Sequence, residues 1–166
     1  MNVVVRPARS GDGSGLARAA VDLAEQYVRL DPDRFKIPPE PDQAARTESE
    51  LRERLGAGRL WLVAEVDGEA VGEVQAFIEE PLDDAALQPQ RDVELRRIYV
   101  NYIAVQAAFR GRGVGRRLMN EVEQWARDND VALIVTDTNL RCDDAVRFYE
   151  QQGFTRQSVI LRKRLV

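Results

Sequence analysis

The strongest constraint on the fold of this chain is residues 100–125, VNYIAVQAAFRGRGVGRRLMNEVEQW. An apolar run ends at Val105, three alternating glycines then stand among four arginines, and apolar residues recur beyond them at helical spacing. A strand that passes through a glycine-rich turn into a helix creates an anion site. Unpaired backbone N–H groups and the positive end of the helix dipole converge there, and glycine lets the backbone come close. The segment therefore predicts a strand–turn–helix unit that binds phosphate groups.

The glycine spacing of this turn differs from two common phosphate-binding motifs. The third glycine, Gly115, comes one position too early for the dinucleotide fingerprint GxGxxG, and the lysine of a P-loop is missing. The pattern favours a pyrophosphate carried by another kind of ligand. The alternative is a tight turn whose arginines are simply solvated.

The near absence of imidazole and thiol groups narrows the chemistry. The chain has no histidine, so a histidine-dependent catalytic triad is excluded. Cys142 is the only cysteine, so an internal disulfide is impossible and no metal site is predicted. Proton transfer has to use Asp, Glu, Tyr, Lys or ordered water.

Length and charge place the chain among ordinary globular proteins. With 166 residues and a net charge of −4, it is predicted to be a single domain, 1–166, that does not bind nucleic acid. Neither a long apolar leader nor a run near ~20 apolar residues is visible, so we expect a soluble, cytoplasmic protein that does not enter a membrane.

Hydrophobic periodicity predicts alternating strands and helices. The order is βααβββαβαβ, and Asp67–Gly68 is expected as the turn of a hairpin over 59–80. Helices are expected over 10–30 and 43–58, with a loop at 31–42 between them. VALIVTD, residues 131–137, is continuously apolar and is predicted to be a central strand. SVILRKRL, residues 158–165, is predicted to be the last strand.

Two segments resemble the GNAT superfamily of N-acetyltransferases. IAVQAAFRGRGVGRRLM is similar to its acetyl-CoA motif, R/Q-x-x-G-x-G/A, with Arg110, Gly113 and Gly115 at the three defined positions. AVRFYEQQGF is similar to the second signature, A-x-x-F/L-Y-x-x-x-G-F. Its matching residues are Ala145, Phe148, Tyr149, Gly153 and Phe154. The resemblance covers 60–166 well and 1–59 only in element order.

The resemblance implies a fold and a co-substrate. The fold is an α/β, GNAT-like domain whose mixed, mostly antiparallel sheet is splayed between two adjacent strands and flanked by about four helices. The co-substrate is acetyl-CoA, whose pantetheine arm would lie between the strands that end at Val105 and near Asp137. The residues implied in binding it are Ile103, Ala104, Val105, Arg110, Gly111, Arg112, Gly113, Val114, Gly115, Arg116, Asn139 and Tyr149.

Tyr149 matches the family tyrosine that stands near the CoA sulfur and protonates the departing thiolate; the alternative is a core aromatic residue. The general base is less defined, because Tyr99 occupies the place of the glutamate found in histone-acetylating relatives. Glu79 is our choice, since it ends the strand beside the long central one. A relayed water would also suffice, and the other candidate carboxylates are Glu80, Glu94 and Asp137.

Cys142 stands where many relatives have an asparagine that touches CoA, and Asn139 is expected to take that contact. Cys142 as a nucleophile is the less favoured alternative to a small-residue role. Direct transfer in a ternary complex is therefore expected.

The acceptor is expected to be a primary amine, in a small molecule or a peptide. Residues 1–59 should form the acceptor side and 60–166 the acetyl-CoA core. Asp31, Asp33 and the acidic stretch 79–84 favour a cationic amine. A homodimer is a further expectation, based on family habit and the edge of the last strand. The alternatives are a catalytically silent CoA-binding or regulatory module with the same fold, and a nucleotide-binding domain of another class.

Overall fold

The fold is built on one mixed sheet, seen in a computed structural model that describes residues 1–53, 58–163 and 165. The strands lie in the order of the chain: β1 Val4–Pro7, β2 Arg59–Val66, β3 Glu69–Glu79, β4 Arg97–Val105 and β5 Leu133–Thr136. The α-helices of the described residues are α1 Gly13–Leu30, α2 Glu40–Glu53, α3 Val114–Asp128 and α4 Asp143–Glu150. Strands β1 to β4 pair antiparallel, and β5 pairs with β4 in parallel. The predicted α/β class, with a mostly antiparallel mixed sheet and four helices, is confirmed.

The hairpin of β2 and β3 forms where the sequence predicted it. Asp67 and Gly68 both have positive φ, 51° and 84°, as a tight two-residue turn between twisted strands requires. The strands it joins are central in the sheet and carry much of the core.

Each face of the sheet is covered by helices. On one face, α3 packs its apolar stripe against β2, β3 and β4, so that Leu118, Met119 and Val122 are fully buried with Val74 and Ile98. On the other face, α1 and α2 cover a second apolar cluster. Its members are Ala8, Leu16, Leu51, Trp61, Val63 and Ala70.

The second helix begins earlier than predicted. Residues 40–42 were expected in the loop, but α2 begins at Glu40, because a proline is tolerated in the first turn of a helix and acidic residues there favour the helix dipole. Residues 54–57 of the predicted helix lie outside the described residues, and Gly58, its predicted last residue, is a turn residue with a φ of 75°.

The expected last strand is wrong for the residues of it that the structure describes. Residues 158–163 form no strand, and the side chains of Val159, Ile160 and Leu161 are 62%, 77% and 89% exposed. Strand propensity depends on pairing and on a half-buried surface, and these side chains gain neither. The homodimer stays a prediction, although it loses the strand edge on which it partly rested.

The expectation of a central position for residues 131–137 is also wrong. The strand in this segment, β5, ends the sheet of the described residues, and all four of its residues are only half-buried. A continuous apolar run indicates burial on two faces but does not say whether a partner strand lies on each side.

Glu73 is a carboxyl group inside the sheet–helix layer. Its side chain points from β3 to the α1–α2 face, is 3% exposed, and accepts hydrogen bonds from Trp61 Nε1 at 2.6 Å and Gln75 Nε2 at 3.0 Å. Burial raises the pKa of Glu73 to about 7, because desolvation penalises the carboxylate more than these two hydrogen bonds stabilise it. A folded protein therefore holds this proton at pH values where the unfolded chain has lost it.

This shift predicts a pH-dependent stability. A raised carboxyl pKa contributes stability that is complete below the unfolded value near 4.5 and is lost as the pH rises through about 7. We expect the free energy of unfolding to fall by roughly 1–3 kcal/mol from this group between pH 5 and pH 8. Glu73→Gln keeps an oxygen that can accept both hydrogen bonds but does not titrate. In urea denaturation, its free energy of unfolding should therefore differ less between pH 5 and pH 8 than that of the wild type. An equal fall in the variant would contradict the assignment.

Candidate active site

Strands β4 and β5 separate halfway along β4. Their parallel pairing runs only from Arg97 opposite Leu133 to Val100 opposite Thr136, whereas β4 pairs with β3 as far as Val105. Thr136 Oγ1 donates to Val100 O at 3.0 Å where the pairing ends. Residues 101–105 therefore have no partner on the β5 side among the described residues, and their backbone borders a gap.

A register shift in β4 accompanies this divergence. Gln75 lies opposite Tyr102 and Ala76 opposite Val100, so Asn101 is the extra residue of a β-bulge. A bulge bends its strand and increases the local twist. Ile103, Ala104 and Val105, the strand residues expected to contact acetyl-CoA, all follow it. Because successive residues of a strand point their N–H and C=O groups to opposite sides, only alternate ones face away from β3.

The glycine-rich turn lies at the end of β4. Gly111 and Gly113 have φ of 69° and 82°, and Gly113 is the N-cap residue of α3. Nothing lies within 4 Å of a Cβ placed on either residue, so the backbone faces open space there. The first N–H groups of α3 point out of the helix N-terminus toward this space. The turn thus has the backbone conformation that an anion site needs.

The four arginines of the turn divide into two pairs. Arg110 and Arg117 hold protein carbonyls: Arg110 Nε donates to Val105 O at 2.9 Å, and Arg117 Nη1 donates to Val3 O at 3.1 Å. Arg112 and Arg116 are exposed beside a groove of about 600 Å³ that runs from Gly113 to β1. The guanidinium groups of Arg112 and Arg116 therefore lie exposed near the N-terminus of α3.

Gly115 serves packing rather than backbone freedom. A Cβ at this position would come within 3.0 Å of the Phe148 ring, so the absent side chain lets α3 lie close to α4. Val114, which follows Gly113, is 1% exposed and anchors the start of α3 in the core.

Tyr149 stands beside the end of β5. Its side chain is 8% exposed and lies edge-on to Phe148 and Phe154, with ring centroids 5.1 Å and 5.4 Å apart. Burial raises the pKa of Tyr149 to about 12, although a side-chain hydrogen bond with Thr136 opposes the shift. The phenol is therefore fully protonated at neutral pH and has a proton to donate.

The four candidate carboxylates lie in different settings. Glu79 accepts a hydrogen bond from Arg97 Nε at 2.6 Å, and Glu80 accepts one from Arg96 Nε at 2.9 Å. Glu94 is exposed in a short 3₁₀ turn. Asp137 directly follows β5 and accepts the phenol proton of Tyr99 in a hydrogen bond.

Asp137 is the carboxylate that this arrangement places among the tyrosines. Its hydrogen bond raises the pKa of Tyr99 to about 12, and its charge also raises the pKa values of Tyr149 and Tyr27. The phenol of Tyr99 thus contacts this carboxylate, and those of Tyr149 and Tyr27, whose pKa values burial raises most, lie close enough to feel its charge.

Asn139 and Cys142 shape the loop between β5 and α4. Asn139 Oδ1 accepts from Arg141 N at 3.0 Å, and its carbonyl accepts from Cys142 N at 2.8 Å. Cys142 is the N-cap residue of α4 and is 3% exposed, with no side-chain capping bond. Gln26 Nε2 donates to its sulfur at 3.1 Å.

Sequence reasoning missed the contribution of α1. Asp22 Oδ2 accepts from Ala107 N at 2.6 Å, and Gln26 Oε1 accepts from Arg110 Nη1 at 3.2 Å. The available signal was the i, i+4 spacing of these two polar residues, with Tyr27 beside them, in a helix rich in Ala and Leu. A helix expected to serve only the acceptor therefore also fixes the turn.

The described residues lack two kinds of feature. No cluster of His, Cys, Asp and Glu in that part of the chain could hold a metal ion. None of its helices has the length and apolar character needed to cross a membrane.

The chain resembles known acetyltransferases in sequence. A model of the Acetyltransferase (GNAT) family matches residues 28–154. Human N-acetyltransferase 8B is 31% identical over 113 residues, which are 68% of this chain and 44% of that protein. The match thus spans less than half the length of this curated relative.

Solved structures have the same fold over nearly the whole chain. A tetramutant of the BH1408 protein from Bacillus halodurans has a TM-score of 0.80 at 22% identity, over 98% of this chain and 99% of that one. Aminoglycoside N-acetyltransferase AAC(6')-Iy, solved in complex with CoA, has a TM-score of 0.62 at 19% identity, over 99% and 96%. The fold, with its divergent strands, and the family match over 28–154 together show that the chain belongs to the GNAT family of acetyltransferases.

Proposed function

We propose that this protein transfers an acetyl group from acetyl-CoA directly to a primary amine. The observation that carries the proposal is the gap between β4 and β5, which opens at Val100 and leads to the positive-φ turn at Gly113. An extended arm with amide groups can pair with the backbone of 101–105, and a pyrophosphate can be held by the N–H groups at the start of α3. The CoA seen with AAC(6')-Iy supports this choice of ligand by analogy of fold.

The binding residues of the proposal are those expected from sequence. Ile103, Ala104 and Val105 would offer backbone groups along the gap, and the turn 110–116 would offer N–H groups to phosphates. Arg112 and Arg116 add charge, since their side chains are exposed at the groove. Asn139 lies in the loop that borders the far side of the gap. Acetyl-CoA supplies an activated acetyl group as a thioester.

The chemistry needs one proton acceptor and one proton donor. An ammonium acceptor first loses one proton to solvent and becomes a neutral nucleophile. Its nitrogen then forms a bond to the acetyl carbon, the C–S bond breaks, a second nitrogen proton is taken up by the acceptor group, and the thiolate gains one from the donor. Tyr149 is the donor in this proposal, because it occupies the position of the family tyrosine and its phenol lies at Thr136, where β4 and β5 separate. A direct route agrees with the absence of histidine from the sequence and with the burial of Cys142.

Asp137 is the acceptor that the geometry favours. It lies beside Tyr99 within electrostatic reach of Tyr149, whereas Glu79, our choice from sequence, is bound to Arg97. Arg97 thus already engages the Glu79 carboxylate at the end of β3. Glu79 as the base stays a prediction, and a comparison of Asp137→Asn with Glu79→Gln tests it.

A positively charged amine suits the acceptor side. Tyr27 stacks on Phe35 with centroids 4.9 Å apart, Tyr99 lies 5.6 Å from Phe77, and Asp137 adds a negative charge beside Tyr99. Arg34 and Arg59 already lie over the Phe35 and Phe77 rings, so the cation would meet the tyrosines and Asp137. Aromatic faces and carboxylates both attract cations. Helix α1 and the loop after it, which carries Phe35, would form this side of the site.

The first prediction concerns Gly113. In Gly113→Ala the left-handed backbone becomes strained and the added methyl group projects toward the proposed phosphates, so we expect calorimetry to show at least tenfold weaker CoA binding. Gly11→Ala is the matched control, because Gly11 also has a positive φ, 98°, with nothing within 4 Å. Equal CoA affinity in the two variants would overturn the phosphate site.

The second prediction concerns the proton donor. Tyr149→Phe keeps the ring packing and should lower kcat about 10²-fold or more, with CoA affinity and Tm nearly unchanged. Tyr102→Phe, which removes the phenol hydroxyl of a tyrosine in β4, is the control and should retain activity. A wild-type rate for Tyr149→Phe, under conditions where chemistry limits, would make Tyr149 a core residue only.

The third prediction separates the two carboxylates. With free CoA thiol measured across a panel of amines, Asp137→Asn should lose most activity and Glu79→Gln should lose little. The reverse order would restore Glu79 as the base. Tight CoA binding by the wild-type protein without turnover of any amine would favour the silent CoA-binding module instead.

A further inference from the structure

A chain of hydrogen bonds runs from the end of β4 through α1 to the start of α4. Arg110 Nη1 donates to Gln26 Oε1 at 3.2 Å, and Gln26 Nε2 donates to Cys142 Sγ at 3.1 Å. Arg110 also donates to Val105 O, so the chain starts at the last residue of β4 and ends at the N-cap residue of α4. Gln26 of α1 therefore connects the two sides through its amide.

The amide of Gln26 is unevenly satisfied. Its oxygen accepts from a guanidinium, which is a strong donor, but its N–H donates to a thiol sulfur, which is a weak acceptor. A carbonyl oxygen in the same place would be a better partner for this N–H. The side chain is also only half-buried.

The position of Gln26 is fixed before any ligand arrives. One turn earlier in α1, Asp22 accepts from Ala107 N at 2.6 Å, which ties the helix to the segment that follows β4. Nearer the start of α1, Gly15 O accepts a hydrogen bond from Gln106 Nε2 at 3.2 Å. A side chain held in this way loses little conformational freedom when it binds a ligand.

We propose that Gln26 binds an amide carbonyl of the pantetheine arm by exchanging its contact with Cys142 for the stronger one. The inference rests on the proposed function, because it places acyl-CoA in the gap. It makes α1 part of the CoA site, with Gln26 as a positioning residue that holds the arm while Arg110 keeps its oxygen occupied.

The test uses two ligands that differ only in the arm. CoA carries pantetheine, and adenosine 3'-phosphate 5'-diphosphate has the same phosphates without it. Gln26→Glu keeps an oxygen for Arg110 but has no N–H donor, so we expect calorimetry to show about 3–10-fold weaker CoA binding, the range for one neutral hydrogen bond. Affinity for adenosine 3'-phosphate 5'-diphosphate should not change.

Gln26→Leu removes both ends of the amide and provides a second measurement if the charge of the glutamate disturbs the site. Gln124→Leu is the matched control, since Gln124 is exposed on α3 and donates only to Asp128. It should leave both affinities unchanged.

Three results would overturn the inference. Equal weakening for both ligands would show that Gln26 acts through Arg110 on the turn, and unchanged or tighter CoA binding in both variants would show no contact with the arm. Failure of the wild-type protein to bind either ligand would remove the proposed function itself. Binding of both ligands by the wild type, with selective loss of CoA affinity in Gln26→Glu, supports the inference.

Discussion

The site depends on the limited pairing between β4 and β5. Four residue pairs, from Arg97 opposite Leu133 to Val100 opposite Thr136, hold the two strands together before they separate. Had the pairing continued, the backbone of 101–105 would be satisfied within the sheet and no ligand could pair with it. The bulge at Asn101 and the hydrogen bond from Thr136 to Val100 O mark the point of separation. Everything proposed about binding and chemistry lies at or beyond that point.

Helix α1 forms the second constraint. Gly15 lets it lie against β3 so closely that a Cβ there would come within 2.3 Å of Ala70 O. The buried side chain of Gln106 binds both Ala70 O and Gly15 O, which locks the end of β4 to the same helix. This contact orients Asp22, Gln26 and Tyr27 toward the turn and the gap, and so connects the proposed acceptor side with the proposed acetyl-CoA side.

Much of this arrangement could be predicted from the sequence, because its signals are local. The hairpin turn at Asp67–Gly68 and the helix that follows Gly113 both depend on backbone conformations that favour particular residues. The partners of Gln26 and Asp137 could not be predicted, since each lies in another element of the chain. The last strand failed for a related reason: apolar character at 159–161 suits a strand, but pairing depends on what lies beside it. Glu79 was chosen by its place on a strand, and its ion pair with Arg97 was not visible in the sequence.

Hydrogen–deuterium exchange with and without CoA tests the central claim most directly, because it reads the backbone groups at the gap and the turn themselves. On CoA binding, amides in 101–105 and 111–117 should exchange more slowly, while those of 62–65 in β2, which are already paired on both sides, should not change. Protection elsewhere, with no change at 101–105, would contradict the account that the divergence of β4 and β5 forms the acetyl-CoA site.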